Sequence, residues 1–136
     1  MNLEDVNQMI LDAGMGYMAT CDGDQPRVRA MMPVFSDDGR LLAATFPGTQ
    51  KLAQIAKNPK IEFCFVDRKL GHCRIEGKAV VSKDGALKEE IWNKQMMLRQ
   101  FFQGPEDPNF ILLVVSPAKI SMMNIGDKGY TDVPVK

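Results

Sequence analysis

The chain has 136 residues, with 17 basic and 17 acidic side chains and a formal net charge of +0 at pH 7. This length suits one domain with one core, and the balanced charge argues against a nucleic-acid partner, which usually needs a basic field. The sequence has no apolar run near the roughly 20 residues of a membrane span, and no visible signal peptide.

The cysteines and the histidine indicate the compartment and limit the metal chemistry. Cys21, Cys64 and Cys73 are an odd number without Cys-x-x-Cys spacing. Reduced thiols are therefore expected, and with them a reducing, cytoplasmic location. His72 is the one histidine in the sequence, so no zinc cluster is predicted.

A first amphipathic helix opens the chain. Apolar residues recur at helical spacing from Leu3 to Ala13, while polar residues occupy the other side. Asn2 is a suitable N-cap and Gly14 a suitable stop. Two more helices are predicted further on, at 50–57 and 86–102.

Short strands separated by turn residues make up most of the remaining pattern. Short connections between successive strands imply antiparallel pairing, and Gly77 indicates a bulge or bend. We therefore predict a mainly β fold with inserted helices, an antiparallel split barrel of six or seven strands. It forms a single domain over residues 1–126, followed by a loose tail over residues 127–136. The predicted strands are 16–21, 26–35, 41–46, 61–66, 73–82, 110–115 and 119–124.

The sharpest chemical signal lies at the start of the second predicted helix. Arg27 and Arg29 are two residues apart on a strand, so they point to the same face. Thr49 can cap the helix, and Lys51 lies in its first turn, where a cation opposes the helix dipole unless an anion is bound in front of it. Together these groups favour a phosphate ester. An ordinary capped helix start with a solvated lysine is the alternative reading.

Several short motifs follow one another in a characteristic order. They are Gln25-Pro26, residues 29–33, Thr45, Thr49-Gln50-Lys51, Gln54-Ile55, Asn58-Pro59 and Gly77-Lys78-Ala79. This order resembles the FMN-binding split barrel of the pyridoxamine 5'-phosphate oxidase superfamily, including its small general-stress and nitroimidazole-resistance-like members. The resemblance spans most of the chain, and its most specific part is the strand, Thr-x-x-x-Thr-x-Lys, helix, Asn-Pro, strand run.

The resemblance implies roles for individual residues. Arg29 and Lys51 match the residues that hold the FMN phosphate, and the Ala30–Pro33 backbone matches the strand along the isoalloxazine ring. His72 matches a residue that reaches FMN from the second subunit. Ala44 and Thr45 match a strand end that hydrogen-bonds the flavin or its phosphate. The complete set of candidate cofactor-binding residues is Arg29, Ala30, Met31, Met32, Pro33, Ala44, Thr45, Thr49, Gln50, Lys51 and His72.

The resemblance also implies an assembly and an activity. It predicts a homodimer with shared flavin sites and a flavin-dependent oxidoreductase acting on a small molecule, with a reduced nicotinamide as a candidate electron donor. Gln50 replaces a second basic residue of the oxidases, and the tail lacks their substrate-framing tryptophan and arginine, so genuine pyridoxamine 5'-phosphate oxidase activity is not expected. The alternatives are a non-catalytic flavin-binding or sensing module, and a relative that binds deazaflavin or haem. We assign no catalytic or metal-binding residue.

Overall fold

The computed structural model describes residues 1–135, so Lys136, the last residue of the predicted tail, lies outside the described part. The helices are α1 (Leu3–Ala13), α2 (Gln50–Lys57) and α3 (Gly85–Lys94), and a 3-10 helix covers Met96–Gln100. The strands are β1 (Gly16–Asp22), β2 (Gln25–Met31), β3 (Val34–Phe35), β4 (Leu41–Thr45), β5 (Lys60–Val66), β6 (His72–Ser82), β7 (Ile111–Met123) and β8 (Thr131–Val133).

All the strands belong to one antiparallel sheet. Their order is β2-β1-β5-β6-β7-β4-β3, and β8 pairs with β7 outside this path. The strands at the two ends of the order, β2 and β3, follow each other in the chain, so the sheet curls round without closing. The predicted fold class, a mainly β antiparallel split barrel with inserted helices, is therefore confirmed.

The second predicted strand is divided into two strands in the structure. The strand predicted at 26–35 ends at Met31 and resumes at Val34, because Pro33 has no N–H with which to continue a ladder. Over residues 1–135 the sheet has eight strands rather than six or seven, because this division and the unpredicted β8 each add a strand, while β7 joins two predicted strands into one.

The turn predicted at Ser116-Pro117 is wrong, because β7 runs through it as one strand. The register between β6 and β7 shifts between Glu76 and Gly77, which confirms the predicted irregularity there. A Cβ at Gly77 would collide with the backbone oxygen of Ser116. The close approach at the bulge therefore requires glycine.

The other differences lie at the third helix and the tail. The helix predicted over 86–102 stops at Lys94, because Gln95 takes an extended conformation and its side chain accepts a hydrogen bond from the Met97 N–H of the following 3-10 helix. Part of the tail expected to be loose pairs with β7, and Val133 is buried. A strand of three residues is too short to show a periodic pattern.

Two apolar clusters hold α1, α2 and α3 against the sheet. One fills the barrel and includes Phe63 and Phe65, and the other lies under α3 around Ile91 and Phe110. Fully burying a side chain of this size stabilises the fold by roughly 1.5–3 kcal/mol. Ile55 of α2 joins the barrel cluster, and this packing fixes the start of α2 at the rim of the barrel.

The longest helix that the structure describes, α1, has 11 residues and falls well short of a membrane span. Its predicted ends are confirmed. Asn2 and Asp5 form a reciprocal capping box, and Gly14 adopts the left-handed conformation at φ 73°.

Candidate functional site

Arg29 is placed by the hairpin of β1 and β2. The two-residue turn has Gly23 at a φ of 62°, as a tight hairpin requires at its first central position. This register places Arg29 opposite Met18, and its side chain shares a face with Met31, which is buried in the barrel core. The guanidinium therefore lies at the rim of the core.

The Arg29 guanidinium is held by neutral oxygens. Its Nη1 donates to the Met18 carbonyl at 3.1 Å and to Thr20 Oγ1 at 2.8 Å, and its Nη2 donates to Gln54 Oε1 at 3.0 Å. Burial lowers the pKa of Arg29, yet a guanidinium stays charged at any physiological pH. The ion pairs found within residues 1–135 do not include Arg29.

Lys51 is held in a similar way at the start of α2. Its Nζ donates to Thr45 Oγ1 at 2.9 Å, and Thr45 is only 5% exposed. The helix begins at Gln50 as predicted, but Thr49 makes no side-chain capping bond; its hydroxyl instead donates to the Phe46 carbonyl at 3.3 Å. The first N–H groups of α2 therefore lack the capping oxygen that was predicted for them.

The charge of Arg29 affects the pKa of Lys51. Burial and, second, the charge of Arg29 lower the pKa of Lys51. Neither of the two has a carboxylate within ion-pair distance in the part of the chain that the structure describes. A desolvated pair of like charges without a counter-ion is the arrangement that binds an anion.

An apolar cleft adjoins the cations. It has a volume of about 190 Å³, and six predicted site residues line it: Ala30, Met31, Met32, Ala44, Thr45 and Lys51. The remaining wall is Leu98 and three aromatic residues, Phe46, Phe101 and Phe102. Phe46 packs against both aromatic neighbours, with ring centroids 6.3 and 4.8 Å apart. The site thus combines a charged end with an aromatic and thioether wall.

The open edge of β2 adds backbone hydrogen-bonding groups. In a two-residue hairpin the hydrogen-bonded and non-hydrogen-bonded pairs alternate outward from the turn. By this alternation Ala30 pairs with Tyr17 in a non-hydrogen-bonded position. Its N–H and C=O therefore point away from β1, towards the unpaired side of β2 at the edge of the sheet. A planar ring in the cleft would meet both a donor and an acceptor there.

The remaining predicted residues lie outside the cleft. Pro33 is in the link between β2 and β3, Thr49 faces the preceding turn, and Gln50 lines a separate groove between α2 and the β1–β2 hairpin. His72 begins β6, where its Nδ1 lies 3.4 Å from the Tyr130 hydroxyl. The structure of one chain does not bring His72 to the cation pair, so its predicted role would require a second copy.

Two of the residues that hold Arg29 had no predicted role. Thr20 and Gln54 are 2% and 8% exposed, and the Thr20 hydroxyl donates to Gln54 Oε1 at 2.6 Å. Gln54 belongs to the Gln54-Ile55 motif of the resemblance, and it lies three residues after Lys51 on α2 and therefore on a neighbouring face. No sequence pattern indicated that Leu98, Phe101 and Phe102 would form a wall of this site.

The cysteines lie apart from this cleft. All three are free thiols, and burial raises the pKa of Cys73 to about 12. Over residues 1–135, the His, Cys, Asp and Glu side chains form no group of three or more that could hold a metal ion.

The open barrel with a cation pair beside its split defines a split-barrel protein with a candidate anion site. The sequence profile of pyridoxamine 5'-phosphate oxidase matches residues 3–124. The chain therefore belongs to the pyridoxamine 5'-phosphate oxidase family, as the sequence resemblance predicted.

Relatives agree along nearly the whole chain. General stress protein 26 of Bacillus subtilis (strain 168) is 31% identical over 139 aligned residues, covering 94% of this chain and 95% of the relative. The crystal structure of General Stress Protein 26 from Bacillus anthracis str. Sterne superposes with a TM-score of 0.78 at 29% identity, covering 97% and 99% of the two chains. A pyridoxamine 5'-phosphate oxidase-related, FMN binding protein from Nostoc punctiforme PCC 73102 shares the fold, with a TM-score of 0.71 at 18% identity and coverages of 93% and 82%.

Proposed function

We propose that this protein binds FMN and acts as a flavin-dependent oxidoreductase on a small molecule. The observation that carries the proposal is the pair Arg29 and Lys51. Both cations are partly desolvated, both are oriented by neutral oxygens, and they stand next to an apolar cleft. The FMN binding protein from Nostoc punctiforme supports the cofactor through its shared fold.

The donor set suits both ends of FMN. A phosphate ester would receive charge-assisted hydrogen bonds from Arg29 and Lys51. The isoalloxazine ring would lie against Met32 and the aromatic wall, where thioether and aromatic contacts are favourable. The edge of β2 at Ala30 would offer hydrogen bonds to the polar rim of the ring. The residues present therefore fit this cofactor.

We further propose that the protein is a homodimer with shared flavin sites. The cleft of about 190 Å³ is smaller than the roughly 300–1,000 Å³ of a complete ligand site, which supports a second copy that completes it. Tyr17 and Val28, which are 48% and 69% exposed, present apolar surface on the hairpin that carries Arg29. Sedimentation should show a dimer at micromolar concentration, and a monomer with FMN bound would contradict this assembly.

When bound, flavin supplies the electron-transfer chemistry, while the protein contributes binding, orientation and electrostatics. A reduced nicotinamide is the proposed electron donor. The described tail offers neither a tryptophan nor an arginine at residues 127–135, so we propose a substrate other than pyridoxamine 5'-phosphate. Steady oxidation of a nicotinamide donor by the flavin-loaded protein would support an enzyme, whereas tight flavin without turnover would favour a non-catalytic module.

Titration with two flavins tests the cofactor assignment directly. We expect FMN to bind at least about tenfold more tightly than riboflavin, because the phosphate adds charge-assisted bonds. Quenching of flavin fluorescence measures both affinities on the same protein. Equal affinities would mean that the site does not bind the phosphate. An absorption spectrum typical of haem or deazaflavin in the purified protein would mean that FMN is not the cofactor.

A second copy could bring His72 to the flavin, as the resemblance implies. In one chain the His72 ring instead neighbours Tyr130. If the imidazole reaches the ring across the interface, it can hydrogen-bond the flavin, so His72→Ala should lower the flavin midpoint potential. A redox titration at two pH values measures this, and identical potentials would leave His72 without a cofactor role.

A further inference from the structure

Gln54 and Thr20 form a buried polar pair next to the anion site. The Thr20 hydroxyl donates to Gln54 Oε1, and the same oxygen accepts from Arg29 Nη2. Thr20 Oγ1 in turn accepts from Arg29 Nη1. Both side chains are less than a tenth exposed, so the pair forms a fixed support rather than a solvated contact.

This support leaves one edge of the guanidinium available. The three bonds to Met18, Thr20 and Gln54 use Nη1 twice and Nη2 once. Arginine has five N–H donors, so Nε–H and one Nη2 hydrogen remain, and the structure describes no bond from either. These two hydrogens lie on the same edge of the planar group, which is the geometry for bidentate contact with a phosphate.

The support also leaves the charge uncompensated. A glutamate at position 54 would have the same length and reach, and it would pair with Arg29. Glutamine supplies the same acceptor oxygen without the negative charge. The side chain at position 54 therefore decides whether the positive charge of Arg29 is available to a ligand.

We propose that Gln54, supported by Thr20, is a positioning residue that determines selectivity for the phosphorylated flavin. It orients Arg29 for bidentate contact while leaving its charge available. This inference rests on the proposed function, since it assigns to Gln54 the preference of the site for FMN over riboflavin.

The decisive variant is Gln54→Glu. FMN affinity should fall roughly tenfold or more, because the new carboxylate pairs with Arg29 and repels the phosphate. Riboflavin affinity should stay the same, so the preference for FMN should collapse. The free protein should become no less stable to heat, because the new ion pair compensates a partly buried cation. A merely structural role for Gln54 would not lower FMN affinity while preserving stability.

Two further variants separate charge from packing. Ala56→Glu adds the same charge to an exposed position of α2, outside the described cavities. Solvent screening should limit its effect on FMN affinity to about threefold. Gln54→Met removes the acceptor without adding charge, so its loss of FMN affinity should lie between wild type and Gln54→Glu. If Gln54→Glu fails to fold, Gln54→Met carries the test, since the FMN preference must still decrease.

The outcomes distinguish this inference from the proposed function. A wild type that prefers FMN, together with a Gln54→Glu variant that keeps the full preference, would overturn the role of Gln54 alone. A wild type without any preference would overturn the phosphate assignment and this inference with it. Equal losses of FMN affinity in Gln54→Glu and Ala56→Glu would also overturn the role of Gln54, since the added charge would then act without contacting Arg29.

Discussion

The two cations of the candidate anion site differ from the other arginines of the chain and from Lys94. Arg40 donates to Asp38 at 2.6 Å, Arg68 donates to Asp12 at 2.6 Å, and Lys94 lies within 2.8 Å of both Asp37 and Glu90. Arg27, on the same strand as Arg29, is 3.2 Å from Asp22. Arg74 and Arg99 lie over the rings of Tyr130 and Trp92. Arg29 and Lys51, in contrast, have hydroxyl, amide and carbonyl oxygens as partners.

The difference separates cations whose charge already has a partner from cations whose charge is available to a ligand. A surface ion pair compensates its own charge, contributes little to stability and has little left to offer a phosphate. A partly buried cation held by neutral oxygens costs stability in the free protein and gains it back when an anion arrives. Binding sites commonly carry such a cost.

The largest expected effect comes from removing the uncompensated cations. Arg29→Met and Lys51→Met should each weaken FMN binding by roughly 1.5–3 kcal/mol, or tenfold or more in affinity. Their effects should be less than additive if both contact one phosphate. Arg27→Met is the matched control, since Asp22 already compensates that arginine. Fluorescence titration measures all three variants. If Arg27→Met lowers FMN affinity as much as Arg29→Met does, the distinction between paired and unpaired cations does not hold.

A second prediction uses the lowered pKa of Lys51. Burial and the charge of Arg29 favour its neutral form in the free protein, and a phosphate favours the protonated form. FMN affinity should therefore fall as the pH rises through the lowered pKa, below the usual value near 10.5. Riboflavin, which lacks the phosphate, controls for ionisation of the ring. Lys51→Met should remove the pH dependence that is specific to FMN affinity. If the pH dependence is unchanged in this variant, another group causes it.

Much of the fold could be read from the sequence because its signals are local. Asn2 and Gly14 mark the ends of α1, and Gly23 marks the hairpin turn. The continuity of β7 through Pro117 could not be read, since it depends on the strand it pairs with. Pro117 pairs with Gly77 beside the register shift, and no local pattern indicates this contact.

The candidate site also has parts that the sequence predicted and parts that it did not. Arg29 and Lys51 could be proposed as phosphate-binding residues from the sequence around one strand and one helix start. The support for Arg29 could not, because the bond between Thr20 and Gln54 joins residues 34 apart in sequence. The aromatic wall was hidden for a related reason, since Phe101 and Phe102 follow a 3-10 helix where the sequence pattern predicted a continuous α-helix.

A third prediction compares two lysines in the protein without flavin. The pKa of Lys51 is lower in the folded chain than in the unfolded chain, so its charge opposes folding at neutral pH. Lys51→Met should therefore raise the melting temperature of the free protein slightly, although the loss of the donor to Thr45 offsets part of this gain. Lys94→Met should lower it, because the Phe35 carbonyl, Asp37 and Glu90 lose their donor. Calorimetry measures both melting temperatures. If the two substitutions change the melting temperature in the same direction, the contrast between the two lysines does not hold.

The smallest expected effect concerns a paired surface cation. Hydrogen bonds from Arg40 and then from Ser36 hold the pKa of Asp38 well below its usual value of 3.8. A depressed carboxyl pKa contributes stability that is complete above the unfolded pKa and is lost as the pH falls towards the folded one. Asp38→Asn should therefore be slightly less stable than wild type at pH 7, and the difference should shrink below about pH 4. Urea unfolding at the two pH values measures this difference. FMN affinity should be unchanged throughout, because neither Asp38 nor Arg40 lines the candidate cleft. A change in FMN affinity without a change in stability would mean that surface pairs also tune the site, and the separation of the two kinds of cation would no longer hold.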